Sequence, residues 1–172
     1  MKILSKQKNS RMCMICGLDN EYGVNAPFYN MEDGSVMTVF RYKEQHQSYP
    51  GRVHCGMITA MLDEMGLRSL WAKELSEETF GVTISLDTKY RKPVPYETEL
   101  IGRGVVVKNT SHFIITDSYI MDKDGEILAN GRIKYIKMDT QKIQEGVEVH
   151  EEMPYLVEDG RTEIEGPFFD NL

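Results

Sequence analysis

The run from about Gly56 to about Leu75, "GMITAMLDEMGLRSLWAKEL", reads as one long helix, and strand-like segments lie on both sides of it. Before it, "SVMTVFRYKEQ" (35–45) alternates apolar and polar residues, the period of a half-buried strand. A loop with Pro50 and Gly51, "HQSYPGRVHCG" (46–56), leads into the helix. After it come "VTISLDTKYR", opened by Gly81, then "ELIGRGVVVKN", "HFIITDSYIMD" and "EILANGRIKYIKM". Pro93 and Pro95 separate the first two of these, and Asp124-Gly125 in "DKDGE" is a hairpin signal joining the last two. A strand, a long helix and four strands in succession predict an α+β fold with the helix packed on an antiparallel sheet. Residues 1–33, with the turn-rich "GLDNEYGVNAPF", are expected to form an irregular arm, 34–138 the domain, and 139–172 a C-terminal extension.

The net charge of −7 is uneven. Residues 1–138 hold 18 Lys+Arg against 17 Asp+Glu, whereas 139–172 hold 2 against 10. The acidity belongs to the tail. The nearly neutral domain lacks the basic stripe of a nucleic-acid binder. No apolar run approaches the roughly 20 residues of a membrane span. "MKILSKQKNSRMC" is basic without an apolar core, so no export signal is read and a cytoplasmic location is expected. Three cysteines without an export signal argue against a disulfide framework. Cys13 and Cys16 form a CxxC pair. A structural zinc site wants four ligands, and neither a second CxxC nor an HxxxH spacing is present among His46, His54, His112 and His150. No strand is read in front of the pair, which disfavours a thioredoxin-type role. Loop packing is the expectation for the pair, no metal ligand is assigned, and the other histidines are expected at the surface or in packing.

The helix carries two adjacent acids, Asp63 and Glu64. Placed at roughly 100° per residue, Ile58, Met61, Leu62, Met65, Ser69 and Ala72 share one face, which should pack on the sheet. Ala60, Leu67, Leu70 and Trp71 share the opposite side with Gly56, Thr59 and Asp63. One sheet covers one face, so the second requires the tail or a partner subunit. Glu64 points into a third sector with Arg68 at i,i+4, the spacing of a surface ion pair. Asp63 has no such partner on its helix, and a carboxylate among apolar residues is either tied to a partner or chemically employed. Gly56 lies seven residues earlier on the same face, about 10 Å along the axis. It sits near the helix N-terminus, whose free amides and dipole stabilise an oxyanion. An oxyanion donor and a carboxylate on one face suit acyl-transfer chemistry.

The loop ending in His54, Cys55 and Gly56, with Asp63 nine positions after the histidine, resembles the hotdog-fold acyl-CoA thioesterases of the phenylacetyl-CoA thioesterase type. "GVTISLDTKYRKPV" (81–94) and "DKDGEILANGRIKYIKM" (122–138) resemble that family's second strand and last hairpin, and "CMICGLDNEYGV" (13–24) an N-terminal extension found in some members. The resemblance implies a long helix wrapped by an antiparallel sheet of about five to six strands. It also implies a homodimer or dimer of dimers with active sites at the interface, acyl-CoA as substrate and no cofactor. On it, Asp63 is nucleophile or general base, the Gly56 amide holds the thioester oxygen, and His54 orients the loop or touches the thioester. Thr83 helps place water across the interface, and Arg91 and Lys92 are candidates for the CoA phosphates. The family usually has Gly after the His; here it is Cys55, expected to border the acyl site. A non-catalytic acyl-CoA binding or sensing module on the same fold is the alternative. A hydratase is disfavoured because no His lies within 55–80. The acyl group, and CoA against another thiol carrier, stay open.

Overall fold

In a computed structural model, residues 1–74, 79–138 and 152–166 are described. The helix forms where its periodicity places it, as α1 (Cys55–Glu74). Leu75 and His150 lie outside the described residues, as does much of the extension. Among the described residues seven strands form one antiparallel sheet: β1 (Ile3–Lys6), β2 (Tyr29–Met31), β3 (Val36–Phe40), β4 (Phe80–Tyr90), β5 (Leu100–Asn109), β6 (Phe113–Met121) and β7 (Ile127–Met138). Their order is β1-β2-β3-β5-β6-β7-β4. The long helix against an antiparallel sheet is the α+β hotdog arrangement, with seven strands instead of five to six. The difference is β1 and β2, two short strands inside the stretch expected to be an irregular arm. At four and three residues they are too short to show a period.

The Asp124-Gly125 signal is realised. Gly125 takes a positive φ of 81°, and Asp122 Oδ1 accepts the amides of Asp124 and Glu126, turning β6 into β7. The helix face Ile58, Met61, Leu62, Met65, Ser69 and Ala72 is buried. Burying each of these larger apolar side chains is worth about 1.5–3 kcal/mol.

Two expectations for the other faces are corrected. Leu70 is buried against Ile114, Ile133 and Tyr135, because the sheet reaches round the helix to the β6–β7 side. Trp71 is buried too, edge-on to Phe80 with ring centroids 5.2 Å apart. The partly covered strip of the second face shrinks to Thr59, Ala60, Asp63 and Leu67, below an exposed Gly56. The Glu64–Arg68 pair forms, Nε to Oε1 at 2.7 Å, but not at the surface: the Arg68 side chain is 1% exposed. Its guanidinium lies 4.3 Å from the Phe28 ring and donates to Gln7 Oε1 and the Lys8 carbonyl, both at 3.1 Å. The N-terminal segment therefore covers this side of the helix.

The described part of the tail runs back along the same segment. Ile164 is buried beside Tyr29 and Met31, Lys2 bridges to Glu163 and Asn9 to Tyr155.

Candidate active site

Asp63 sits in mid-helix on the strip that the chain leaves half covered. Thr83 of the same chain donates its hydroxyl to the carboxylate, 3.0 Å from Oδ1 and 3.2 Å from Oδ2. The resemblance put Thr83 across an interface. Within this chain it reaches Asp63 directly, because β4 follows the helix and lies against it. The register of β4 on β7 shifts between Thr83 and Ser85, an extra residue of the kind that re-aims a side chain beside a site.

Beneath Asp63, Tyr135 of β7 donates its hydroxyl to the Asp63 carbonyl at 2.7 Å. The hydroxyl passes so close to the helix that a Cβ on Gly66 would stand 2.2 Å from it. Only glycine permits that approach, which explains a helix-weakening residue at mid-helix. Tyr135 and its cleft at Gly66 escaped the sequence reading. The available signal was an inward-facing tyrosine in a strand of otherwise apolar inward residues.

Burial pushes the Asp63 carboxyl above its ordinary value of 3.8. The neighbouring Glu64 charge adds to this, while the hydroxyls of Thr83 and Tyr135 pull it back down. Asp63 is thus a carboxylate whose protonated form is favoured by burial and whose ionised form is favoured by the hydroxyls around it.

The helix start forms the second part of the site. His54 caps it: its carbonyl accepts the amide of Met57 at 2.9 Å and of Ile58 at 3.2 Å. Its Nδ1 accepts the amide of Gly56 at 2.9 Å. The amide expected to bind a thioester oxygen is therefore engaged by the histidine two residues before it. Tyr90, not anticipated from the sequence, closes this end. Its hydroxyl lies 2.6 Å from Thr59 Oγ1 and donates to the Cys55 carbonyl at 3.3 Å. Cys55, Tyr90, Lys92 and Val94 line a cavity of about 220 Å³ beside the loop.

The two basic candidates part company. Lys92 lines this cavity and pairs with Glu126. Arg91 donates to Asn130 Oδ1 at 2.6 Å and faces a separate polar cavity with Asp87, Asp117 and Arg132. Of the other histidines, His46 is buried, with Nδ1 accepting the Lys43 amide at 3.0 Å. His112 is exposed.

Residues 50–129, which include His54, Gly56, Asp63 and Thr83, match the profile of the thioesterase superfamily. Among solved structures, the chain is similar to a thioesterase superfamily protein at 25% identity and a TM-score of 0.65, covering 73% of this chain and 63% of that one. The chain thus spans under two thirds of that protein's length. A hypothetical thioesterase of Streptococcus pneumoniae, solved with coenzyme A, is 18% identical with a TM-score of 0.60, over 67% of this chain and 90% of that one. A phenylacetic acid degradation-related protein of Ralstonia eutropha is 18% identical with a TM-score of 0.58, over 66% and 85%. The last two share the fold. No curated protein matches the chain. Among the described residues, no helix is long and apolar enough to cross a membrane.

Proposed function

We propose, for a chain whose residues 50–129 match the profile of the thioesterase superfamily, that it hydrolyses an acyl-CoA thioester to the free acid and CoA in the cytoplasm. The observation that carries this reading is the half-buried Asp63 carboxylate, raised by burial and aimed by Thr83, two turns along the helix from Gly56. Asp63 takes a proton from water, or attacks the carbonyl itself, while the Thr83 hydroxyl, donating to both carboxylate oxygens, favours its ionised form. The Gly56 amide stabilises the developing oxyanion once the thioester oxygen replaces His54 Nδ1 on it. Hydrogen bonds of this kind commonly tighten only when substrate is bound. Cys55, with Tyr90, borders the substrate at the helix start. Lys92, which lines the cavity beside Cys55, takes the phosphate-bearing end, while Arg91 faces the separate cavity with Asp87 and Asp117.

The strip bearing Asp63 is completed by a second copy of the chain. β4 is the outer strand of the sheet and carries Val82 at 40% and Ile84 at 52% exposure. A long apolar edge of this kind seeks a partner, which gives a homodimer or a dimer of dimers with Asp63 at its seam.

The engaged Gly56 amide favours a second reading, a module that binds acyl-CoA without turning it over. A panel of straight-chain and aromatic acyl-CoAs, with detection of released thiol, separates the two. Turnover of at least one member supports the hydrolase. Binding of acyl-CoA with no thiol released from any member supports the module.

A further inference from the structure

Cys13 and Cys16 stand apart from this site in sequence but not in space. In sequence the pair offers only two ligands. The third comes from the helix. One sulfur of each cysteine and one carboxylate oxygen of Glu64 lie within 4.8 Å of one another. Cys13 Sγ is 3.9 Å from Glu64 Oε2. A tetrahedral zinc with Zn–S of about 2.3 Å and Zn–O of about 2.0 Å sets sulfur and oxygen roughly 3.5 Å apart. The Cys13–Glu64 separation is within about 0.4 Å of that spacing, and the remaining pairs lie within 4.8 Å. We infer that Cys13, Cys16 and Glu64 form a binding site for a thiophilic divalent cation of the zinc class, with its fourth position open to the cavity beside Trp71 and Met153.

The loop is built to hold its sulfurs still. Between the cysteines the chain makes one tight turn, the Gly17 amide donating to the Cys13 carbonyl at 2.9 Å. A Cβ on Gly17 would stand 2.5 Å from the Cys13 backbone, so the turn requires glycine. The Ile15 amide points at Cys13 Sγ, 3.4 Å away. Cys16 Sγ lies 3.2 Å from the Ser10 hydroxyl. Asn9 fixes the loop from below, its Nδ2 donating to the carbonyls of Cys16 at 2.7 Å and Ala26 at 2.9 Å.

Glu64 is oriented as a ligating carboxylate usually is, by an outer partner on its other oxygen. Arg68 holds Oε1 at 2.7 Å, which leaves Oε2 toward Cys13. The charges agree. Two thiolates and Glu64 against Arg68 sum to a net of two negative charges, which a divalent cation neutralises as two thiol protons leave. Sulfur ligands select zinc over magnesium or calcium. The adjoining cavity, about 260 Å³, is also lined by Glu152, so that carboxylate or a water completes the tetrahedron. A bound cation would tie the N-terminal segment to the helix turn that carries Asp63.

The test uses the full chain, reduced and stripped with a chelator, then titrated with cobalt and with zinc. The expected result is about one equivalent of metal per chain, thiolate-to-cobalt charge-transfer bands, and a higher Tm with zinc. The Cys13→Ser/Cys16→Ser variant, shown folded by circular dichroism, should lose all three. Glu64→Gln should keep the charge-transfer bands and bind at least ~10-fold more weakly. Cys55→Ser should bind as wild type does. Folded, reduced wild-type protein that takes up no cobalt, or cobalt without thiolate bands, overturns the proposal whatever the variants do. Full binding by the folded double variant, or loss of binding in Cys55→Ser, overturns it equally. None of these readouts depends on thioester hydrolysis.

Discussion

Thr83 Oγ1 donates to both carboxylate oxygens of Asp63, at 3.0 and 3.2 Å, and bridges β4 to the helix at an acid that, unlike its neighbour Glu64, is not paired with Arg68. The bond is directional in its chemistry. Burial raises the Asp63 carboxyl and Thr83 lowers it. Asp63 works as base or nucleophile only when ionised, so kcat/KM falls as the pH drops through its folded value. Thr83→Val keeps the shape and removes the donor. The acid limb of the pH–rate profile should therefore move to higher pH in the variant. An unmoved limb would show that Thr83 does not hold the working form of Asp63.

Gly66 gives Tyr135 its access to the Asp63 carbonyl. A Cβ there would also stand 2.6 Å from Thr116 Oγ1. Gly66→Ala should cost about 1–3 kcal/mol in denaturant unfolding, the usual scale for overpacking. It should also slow turnover by displacing the helix turn at Asp63. Adding Tyr135→Phe takes away the atom at 2.2 Å and should recover part of the lost stability. A double variant no more stable than Gly66→Ala alone would refute the clash.

Arg68 is a buried cation that donates to Glu64, Gln7 and Lys8 and lies over the rings of Phe28 and Trp71. Arg68→Ala strands Glu64 and should cost roughly 3–5 kcal/mol, the scale for breaking a buried pair. Chemical denaturation of the two proteins at neutral pH measures it. A loss under about 1 kcal/mol would fit the exposed pair that the i,i+4 spacing alone suggests.

Asp159 ties the tail to the domain through Lys6 and Tyr29. Burial pushes its carboxyl up, but the hydrogen bonds from Lys6 and Tyr29 outweigh it and hold the carboxyl at about 2. A depressed carboxyl adds stability above its unfolded value near 3.8, and that stability is lost as the pH falls toward 2. Asp159→Asn should lower the unfolding free energy at neutral pH by about 1 kcal/mol, the scale for a partly exposed pair. Near pH 2 the two proteins should converge. A difference that persisted there would mean that the charge is not what matters.

Much of this architecture was legible in local patterns. The helix, the Asp124-Gly125 hairpin and the separation of Asp63 from Glu64 each follow from periodicity or turn chemistry within a few residues. What was missed depends on contacts far along the chain. Arg68 reads as a surface residue because the Phe28, Gln7 and Lys8 that bury it lie some 40 to 61 positions earlier. Leu70 reads as facing away from the sheet because a helical wheel does not contain the sheet's curvature. Glu64 reads as fully spoken for by Arg68, while its second oxygen faces Cys13 from across the loop. Tyr135 is an ordinary strand residue until Gly66 passes over it.

The most direct test of the account is the turnover of Asp63→Ala on the best acyl-CoA of the panel. Because Asp63 is raised by burial, its folding contribution is favourable below about 3.8 and is lost as the pH rises through its folded value. The variant should therefore stay folded at neutral pH, where circular dichroism confirms that the comparison is fair. The account predicts a kcat at least ~10²-fold below wild type, the scale for losing a base or nucleophile. A folded Asp63→Ala protein that releases CoA as fast as wild type would contradict it.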